Sequence, residues 1–427
     1  MTAMRLRETI IILLLIGLTL SFSAAFAQAE GKFKLKPGAT GKLCLSCHTT
    51  FSAKMKAKHI HTPLVEGDCS GCHNPHASNH GMLMEGDADS ICYKCHDNIV
   101  ADGAVSVHQV VVEGKCVSCH DPHSSDNPAN LVKGGNDLCF NCHQELGEKI
   151  ASNKYGHPPV KKDCLNCHNS HASGKNVSLL KMDEPKLCLS CHKTNSSGFK
   201  KSHVNYPVEQ KRCTTCHDPH GSSSGAILAD NIHAPIKNGM CNQCHNEADA
   251  EQPFALKKSG FELCQGCHYE MINESFGKNR LHWPLVDKTG CINCHTPHAS
   301  AEESLLRKPM KEVCGSCHAD ILARQDRSQT KHQPVDDGEC TVCHSPHASN
   351  QLFLQKEETT IATCAQCHDW QTHSTHPIGA EVIDPRNPNL ALDCLSCHRT
   401  HGTEYKQFLY YPDVKSLCVQ CHTKYRR

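Results

Sequence analysis

The pattern Cys-x-x-Cys-His occurs sixteen times and uses all 32 cysteines of the chain. Two thiols separated by two residues match the spread of the two haem vinyl groups. The histidine that follows is aimed at the iron from one face, which makes the pattern a signature of covalent c-type haem attachment. Disulfides and zinc are the other uses of closely spaced cysteines. Neither explains a histidine after the second cysteine in every copy.

The attaching cysteines are Cys44 and Cys47, Cys69 and Cys72, Cys92 and Cys95, Cys116 and Cys119, Cys139 and Cys142, Cys164 and Cys167, Cys188 and Cys191, and Cys213 and Cys216. They continue with Cys241 and Cys244, Cys264 and Cys267, Cys291 and Cys294, Cys314 and Cys317, Cys340 and Cys343, Cys364 and Cys367, Cys394 and Cys397, and Cys418 and Cys421. The proximal iron ligands are then His48, His73, His96, His120, His143, His168, His192, His217, His245, His268, His295, His318, His344, His368, His398 and His422.

The motifs are of two kinds. Seven carry a second histidine three residues after the first: His76, His123, His171, His220, His298, His347 and His401. Two histidines so close in sequence cannot take opposite faces of one macrocycle, so the second must reach a neighbouring iron or solvent. Reaching a neighbour holds two haems close together. Proline precedes this histidine in five of the seven and favours a turn over a continued helix. A further group stands shortly before a motif: His61, His108, His157, His203, His233, His282 and His332, with His376 as the long-loop equivalent. His59 completes a set of sixteen distal candidates as the ligand for the first haem. There are 34 histidines in all and only nine methionines, and the methionines do not recur at repeat positions. The expectation is sixteen haems c with bis-histidine iron, low-spin and low in potential. No catalytic residue is expected.

The elements that position these residues are short. The motifs recur at near-even steps, as tight as Cys116 to Cys139 and as wide as Cys364 to Cys394. That leaves too little chain to enclose each haem in a domain of its own. Hydrophobic residues, the cysteines included, make up 38% of the chain and aromatic residues 5%. That is a poor core for this length. The haems are therefore expected to be the core, and the polypeptide its wrapping. The expected fold is mostly coil with short α-helices, an extended multihaem array without a sizeable β-sheet. Leu138 to Ile150 and Leu263 to Glu274 are the better helix candidates. Asp97 to Val112 reads as an apolar cover over a haem.

Plain and doubled motifs alternate as an internal repeat. The alternation slips once, where the plain motifs at Cys241 and Cys264 stand back to back. Three segments follow: residues 1–27, residues 28–250 with nine haems, and residues 251–427 with seven. Residues 1–27 read as a secretory signal peptide, with Arg5 and Arg7, an apolar run from Ile10 to Leu20, and Ala25-Phe26-Ala27 at the cleavage site. Export to the periplasm is expected, with association to the outer membrane or an extracellular location as alternatives. No cysteine precedes Cys44, so no lipid-anchoring cysteine is expected there. No transmembrane segment is expected after cleavage. The formal net charge is zero, which gives no reason to expect nucleic acid as a partner.

Segments such as "CSGCHNPHAS", "CTTCHDPHGS" and "CTVCHSPHAS" resemble the doubled Cys-x-x-Cys-His family of multihaem c-type cytochromes over nearly the whole exported chain. The chain is also similar to porin-embedded decahaem cytochromes and to small periplasmic pentahaem electron donors. The resemblance implies a haem wire, redox proteins as donor and acceptor, and an outer-membrane porin as a possible partner. An electron conduit in respiratory or extracellular electron transfer is the leading expectation. The alternatives are a multihaem reductase of nitrite, hydroxylamine or a sulfur oxyanion, which needs an open iron, and a subunit of a cytochrome filament.

Overall fold

The computed structural model describes residues 39–371 and 376–426. The expected signal peptide lies outside these residues. The described chain is coil tied together by short helices, single 3-10 turns and two-stranded antiparallel pairs. No described helix is long and apolar enough to cross a membrane.

Both helix candidates form, and both are broken in two. Asn136–Phe140 is followed by Gln144–Ser152, and Glu262–Gln265 by Tyr269–Phe276. The haem histidine is the break. His143 donates its N–H to the Cys139 carbonyl at 3.0 Å, and its own carbonyl accepts from Gly147 at 3.0 Å. The valine-rich stretch, expected as an irregular cover, forms regular elements. It supplies strand Ser106–Val107, paired with Ala172–Ser173, and helix Gln109–Val112.

Two backbone forms of the haem motif divide the sixteen sites equally. In eight, the first cysteine lies in a short α-helix: Cys44, Cys92, Cys139, Cys188, Cys264, Cys314, Cys364 and Cys418. In the other eight it lies in a single 3-10 turn: Cys69, Cys116, Cys164, Cys213, Cys241, Cys291, Cys340 and Cys394. The forms alternate strictly, except that Cys213 and Cys241 are both of the 3-10 form. The motif at Cys241, plain in sequence, is therefore built as a doubled one that has Ala248 where the second histidine would stand. By backbone, the reversal falls between the eighth and ninth motifs.

Two compact units emerge from the contacts. The first comprises the described residues up to Lys149 together with Pro158–Asp183, and the second Ile150–His157 with Glu184 onward. The boundary expected at 250/251 lies inside the second unit. The short segment 150–157 belongs there because Tyr155 pairs with Ser222, far along the chain.

A conventional core is almost missing. The buried hydrophobic side chains among the described residues are Ile91, Ile150, Tyr206, Ile272, Ala299, Ala348 and Leu409. Instead, one continuous cavity of about 3530 Å³ runs from His233 to His422 within the second unit. A drug-sized ligand site is roughly 300–1,000 Å³. The walls carry haem-motif cysteines and histidines throughout, as expected where cofactors supply the interior.

One hairpin departs from the pattern. Strands Gly379–Asp384 and Asn387–Leu392 occupy the long step before Cys394. Arg386 closes the turn, its guanidinium donating to the buried Asp384 carboxylate at 2.6 and 2.9 Å and to the Ser396 carbonyl at 2.6 Å. The arginine holds Asp384 down at about 2. A carboxyl with a depressed folded pKa stabilises above its ordinary value and loses that contribution as pH falls toward the folded pKa. Amide exchange protection in residues 379–392 should therefore be full at pH 5 and fall by about 1 to 2 kcal/mol, allowing for screening, as the pH is lowered to about 2. Asp384→Asn should lose that protection already at pH 5.

Candidate haem-ligating sites

Among the described residues, histidines face each other in pairs whose ring centroids lie 5.9 to 6.3 Å apart. In the first unit they are His61 with His96, His73 with His123, His108 with His143, and His120 with His171. In the second they are His157 with His192, His203 with His217, His233 with His268, His245 with His298, and His282 with His318. Four more there are His295 with His347, His332 with His368, His344 with His401, and His376 with His422. Each pair joins one motif histidine to one distal candidate. An imidazole nitrogen binds a metal at about 2 Å, and the ring centre lies roughly a further 1 Å back. Two imidazoles on opposite sides of one iron should then have centroids about 6 Å apart. The spacing fits an iron centred between the rings, whereas direct ring stacking would not require it.

The ring nitrogens agree. Nδ1 of His73, His120, His217, His245, His295, His344 and His398 lies 2.7 to 3.0 Å from a backbone carbonyl nine residues on, and Nδ1 of His168 from one ten residues on. Nδ1 of His61, His108, His157, His233 and His282 meets the carbonyls of Pro122, Ser170, Pro219, Pro297 and Pro346 at 2.8 to 3.1 Å. An N–H donated to a carbonyl fixes the tautomer and leaves Nε2 bare for metal.

The doubled motif is therefore a lock between distant segments. Each of those five acceptor residues immediately precedes a second histidine: His123, His171, His220, His298 or His347. The backbone closes the lock, with His61, His108, His233 and His282 donating their N–H to the carbonyls of His123, His171, His298 and His347 at 2.8 to 2.9 Å. The flanking residues pair as two-residue strands, Ile60 with Ser124, Val107 with Ala172, Ile232 with Ala299 and Leu281 with Ala348. One lock thus holds one ring from each of two different imidazole pairs. In the first unit, His123 faces His73 and its locked neighbour His61 faces His96.

Sequence reasoning missed three supports of this lock. The residue after the proximal histidine makes an Asx turn: Asp121 Oδ1 accepts from the backbone of His123 and Ser124 at 2.9 and 3.2 Å. The serine of the Ala-Ser or Ser-Ser pair donates locally, with Ser125 Oγ bonded to the Leu131 carbonyl at 2.5 Å and Ser173 Oγ to that of Leu180 at 2.8 Å. Finally, for seven of these eight proximal histidines, His245 being the exception, the carbonyl that holds Nδ1 comes from a two-residue left-handed turn. Met82-Leu83, Ala129-Asn130, Ser178-Leu179, Ala226-Ile227, Ser304-Leu305, Phe353-Leu354 and Gln407-Phe408 all have φ between 50 and 58°. The recurring small residue after the second histidine was the visible signal for the serine. The left-handed turns had none, because no glycine marks them.

His203 stands apart from the upstream group in which its position places it. It ends helix Ser197–Ser202, donates from Nδ1 to the Phe199 carbonyl at 2.9 Å, and faces the motif histidine His217, with ring planes at 54°. The missing histidine at 248 explains this, since elsewhere the next 3-10 motif supplies that ligand. His76, His59 and His80 make no imidazole pair among the described residues. His59 lies exposed on a strand opposite Ser125, and His80 Nδ1 is 3.3 Å from Asp87. Burial depresses several paired imidazoles, most of all His401, pushed down to about 4.

The attaching cysteines of successive motifs meet. Cys69 lies beside Cys44, Cys92 beside Cys116, Cys164 beside Cys139, and Cys188 beside Cys213. The same contact joins Cys264 to Cys291, Cys314 to Cys340, and Cys364 to Cys394. Haems attached there would have adjoining thioether edges.

These motifs define covalent haem c sites, and the chain belongs to the doubled CXXCH motif family, whose pattern matches residues 61–101, 108–148, 157–197, 205–232, 233–273, 282–323, 332–373 and 387–427. It is a multihaem c-type cytochrome. The fourth match is the short one and holds a single motif, at the point where the backbone alternation reverses. The chain is similar to the multiheme cytochrome MtrA of Shewanella baltica (strain OS185), at 26% identity over 100 residues, covering 22% of this chain and 27% of that protein.

Two measurements test the geometry. A non-glycine residue at positive φ costs about 1 to 2 kcal/mol, and Ala129 is exposed. Ala129→Gly should leave chemical stability equal or raise it by up to about 1 kcal/mol, whereas Ala129→Val should lower it by more than about 1 kcal/mol in guanidinium unfolding. In most of the pairs the ring planes are near parallel, 25° or less apart. His203/His217 and His376/His422 are instead at 54° and 52°. Ferric EPR should accordingly show a rhombic low-spin majority and a more anisotropic minority. His203→Ala should diminish the minority.

Proposed function

We propose that this protein is an exported electron conduit carrying sixteen haems c with bis-histidine iron, acting in anaerobic respiratory or extracellular electron transfer. The observation that carries the reading is the recurring pair of imidazoles with centroids 5.9 to 6.3 Å apart, as in His73 with His123, where Nδ1 is committed to a carbonyl and Nε2 is free. Bound haem c supplies a one-electron couple. The residues contribute two imidazole ligands of fixed tautomer and a packed path between neighbouring attachment cysteines. Imidazole on both faces favours a low potential and a low-spin iron that changes little on reduction, which suits transfer over catalysis.

Residues 1–27 act as a signal peptide, and the mature chain works in the periplasm or at the outer membrane. Its partners are redox proteins, with an outer-membrane porin as the membrane partner, in keeping with the resemblance to porin-embedded decahaem cytochromes. For the first haem, attached at Cys44 and Cys47, the distal ligand is drawn from His59 and His76.

Reductive titration of the purified holoprotein should take up sixteen electrons per chain, with every ferric haem low-spin by EPR. A substantial high-spin fraction together with turnover of nitrite or hydroxylamine would replace this reading with that of a reductase.

A further inference from the structure

The reversal between the eighth and ninth motifs is a joint with its own construction. Here two 3-10 motifs follow one another, and the distal ligand that the repeat fails to supply comes from His203. Three residues later, Tyr206 is 6% exposed. Its N–H donates to the His203 carbonyl at 3.0 Å, and its hydroxyl donates to the Asn246 carbonyl at 2.5 Å. Asn246 directly follows His245, the proximal histidine of the ninth motif. The tyrosine ring packs against Phe254 with centroids 5.6 Å apart. The Phe254 carbonyl accepts from His245 Nδ1 at 3.0 Å, and its ring meets the His245 imidazole edge-on at 6.0 Å. Lys211 Nζ lies 4.8 Å from the Phe254 ring centre and caps its outer face.

One side chain therefore touches the segment that presents His203 and the segment that holds His245. The backbone between them is constrained as well: Val204 and Asn205 have φ of 53 and 63°. A residue with φ > 0 is costly for a β-branched side chain, and Val204 is held there directly between the histidine and the tyrosine. A left-handed pair also builds the clamps on the proximal histidines elsewhere in the chain, but here it turns the chain from a ligand to a coupling residue.

We propose that Tyr206 is the positioning residue that couples the His203/His217 centre to the His245/His298 centre, so that the two runs of the array work as one path. The inference rests on the bis-histidine reading above. The phenol takes no part in the redox change: one electron leaves one centre and arrives at the other, and no proton or covalent bond moves. Its work is to fix the mutual placement of the two ligand sets. A hydroxyl hydrogen bond in a buried site is directional, so its loss lets the Tyr206 and His245 segments drift apart while leaving every ligand in place.

The test uses the holoprotein, comparing the wild type with Tyr206→Phe and Tyr206→Leu. Haem content by mass and the spin state by EPR report on the ligation reading, and both should be unchanged, at sixteen haems and low spin. Flash reduction by less than one electron per molecule, followed by optical relaxation, reports on the coupling. Tyr206→Phe should slow relaxation at least threefold and shift the anisotropic EPR component assigned to the His203/His217 centre. Tyr206→Leu, which removes both the hydroxyl and the ring, should slow relaxation at least as much. If both variants keep sixteen low-spin haems and match the wild type in relaxation rate and EPR, the coupling role is overturned while the ligation reading stands. A wild type with high-spin iron would overturn the ligation reading itself.

Discussion

Imidazoles from different parts of this chain must be held face to face, with centroids 5.9 to 6.3 Å apart. That requirement organises everything else. An imidazole is free to rotate about two bonds, and a ligand that wanders costs entropy each time it binds. The chain removes this freedom by giving Nδ1 a carbonyl to hold. For a proximal histidine of the 3-10 form the carbonyl lies nine or ten residues ahead. For five of the upstream histidines it belongs to the residue just before another distal histidine. The second arrangement couples ligands to one another, so the ligands of adjacent haems are fixed by the same few hydrogen bonds.

The hydrogen bonds that do this are local in form and long in reach. Strand pairs two residues long would be negligible alone, since even an isolated hairpin is marginal in water. Here each joins segments far apart in sequence, such as Ile60 with Ser124, and it is backed by the cofactor on either side. With so few buried hydrophobic side chains among the described residues, the polypeptide has little to collapse around until its thioethers are made. The left-handed turns carry strain under the same logic: a backbone conformation that costs energy persists where surrounding structure over-determines it, and the proximal imidazole that each turn holds contributes to that determination.

Much of this was legible in the sequence, because the chemistry is written in residue types. Cys-x-x-Cys-His names the cofactor, and its attachment points follow directly. The second histidine three residues later could be excluded from its own motif's iron by geometry, which left a neighbouring iron or solvent. His376 could be picked out as a long-loop equivalent, and it faces His422 at 6.3 Å. The fold class was legible for the same reason, since few apolar residues spread over many motifs leave little to build a sheet or a long helix. The location of the repeat's reversal was not. Counting second histidines puts it at Cys241 and Cys264, because Ala248 makes the ninth motif look plain. The backbone of that motif keeps the 3-10 turn and the bridge of His245 to Leu256 found in the doubled motifs. The scaffold is kept without its ligand, and one residue type cannot reveal that. The positive-φ pairs were hidden for a related reason. Their conformation is imposed by the histidine they hold, so residues as unlike as Met82, Ser178 and Phe353 serve equally.

His203 shows what the missing ligand requires. In the regular repeat, a proximal histidine of the 3-10 form faces the second histidine of the next such motif, as His245 faces His298 and His295 faces His347. Without a histidine at 248, His217 has no such partner, and a helix turn directly upstream supplies one. The substitute differs in kind: its Nδ1 bonds a carbonyl within its own helix, and its plane is tilted, so it fixes its own haem without tying it to the next. A lock that joins two imidazole pairs has been replaced by a histidine that joins none. Some other contact must then restore the connection if the array is to conduct through this point, and the buried hydroxyl of Tyr206, reaching the residue after His245, is placed where that connection is missing.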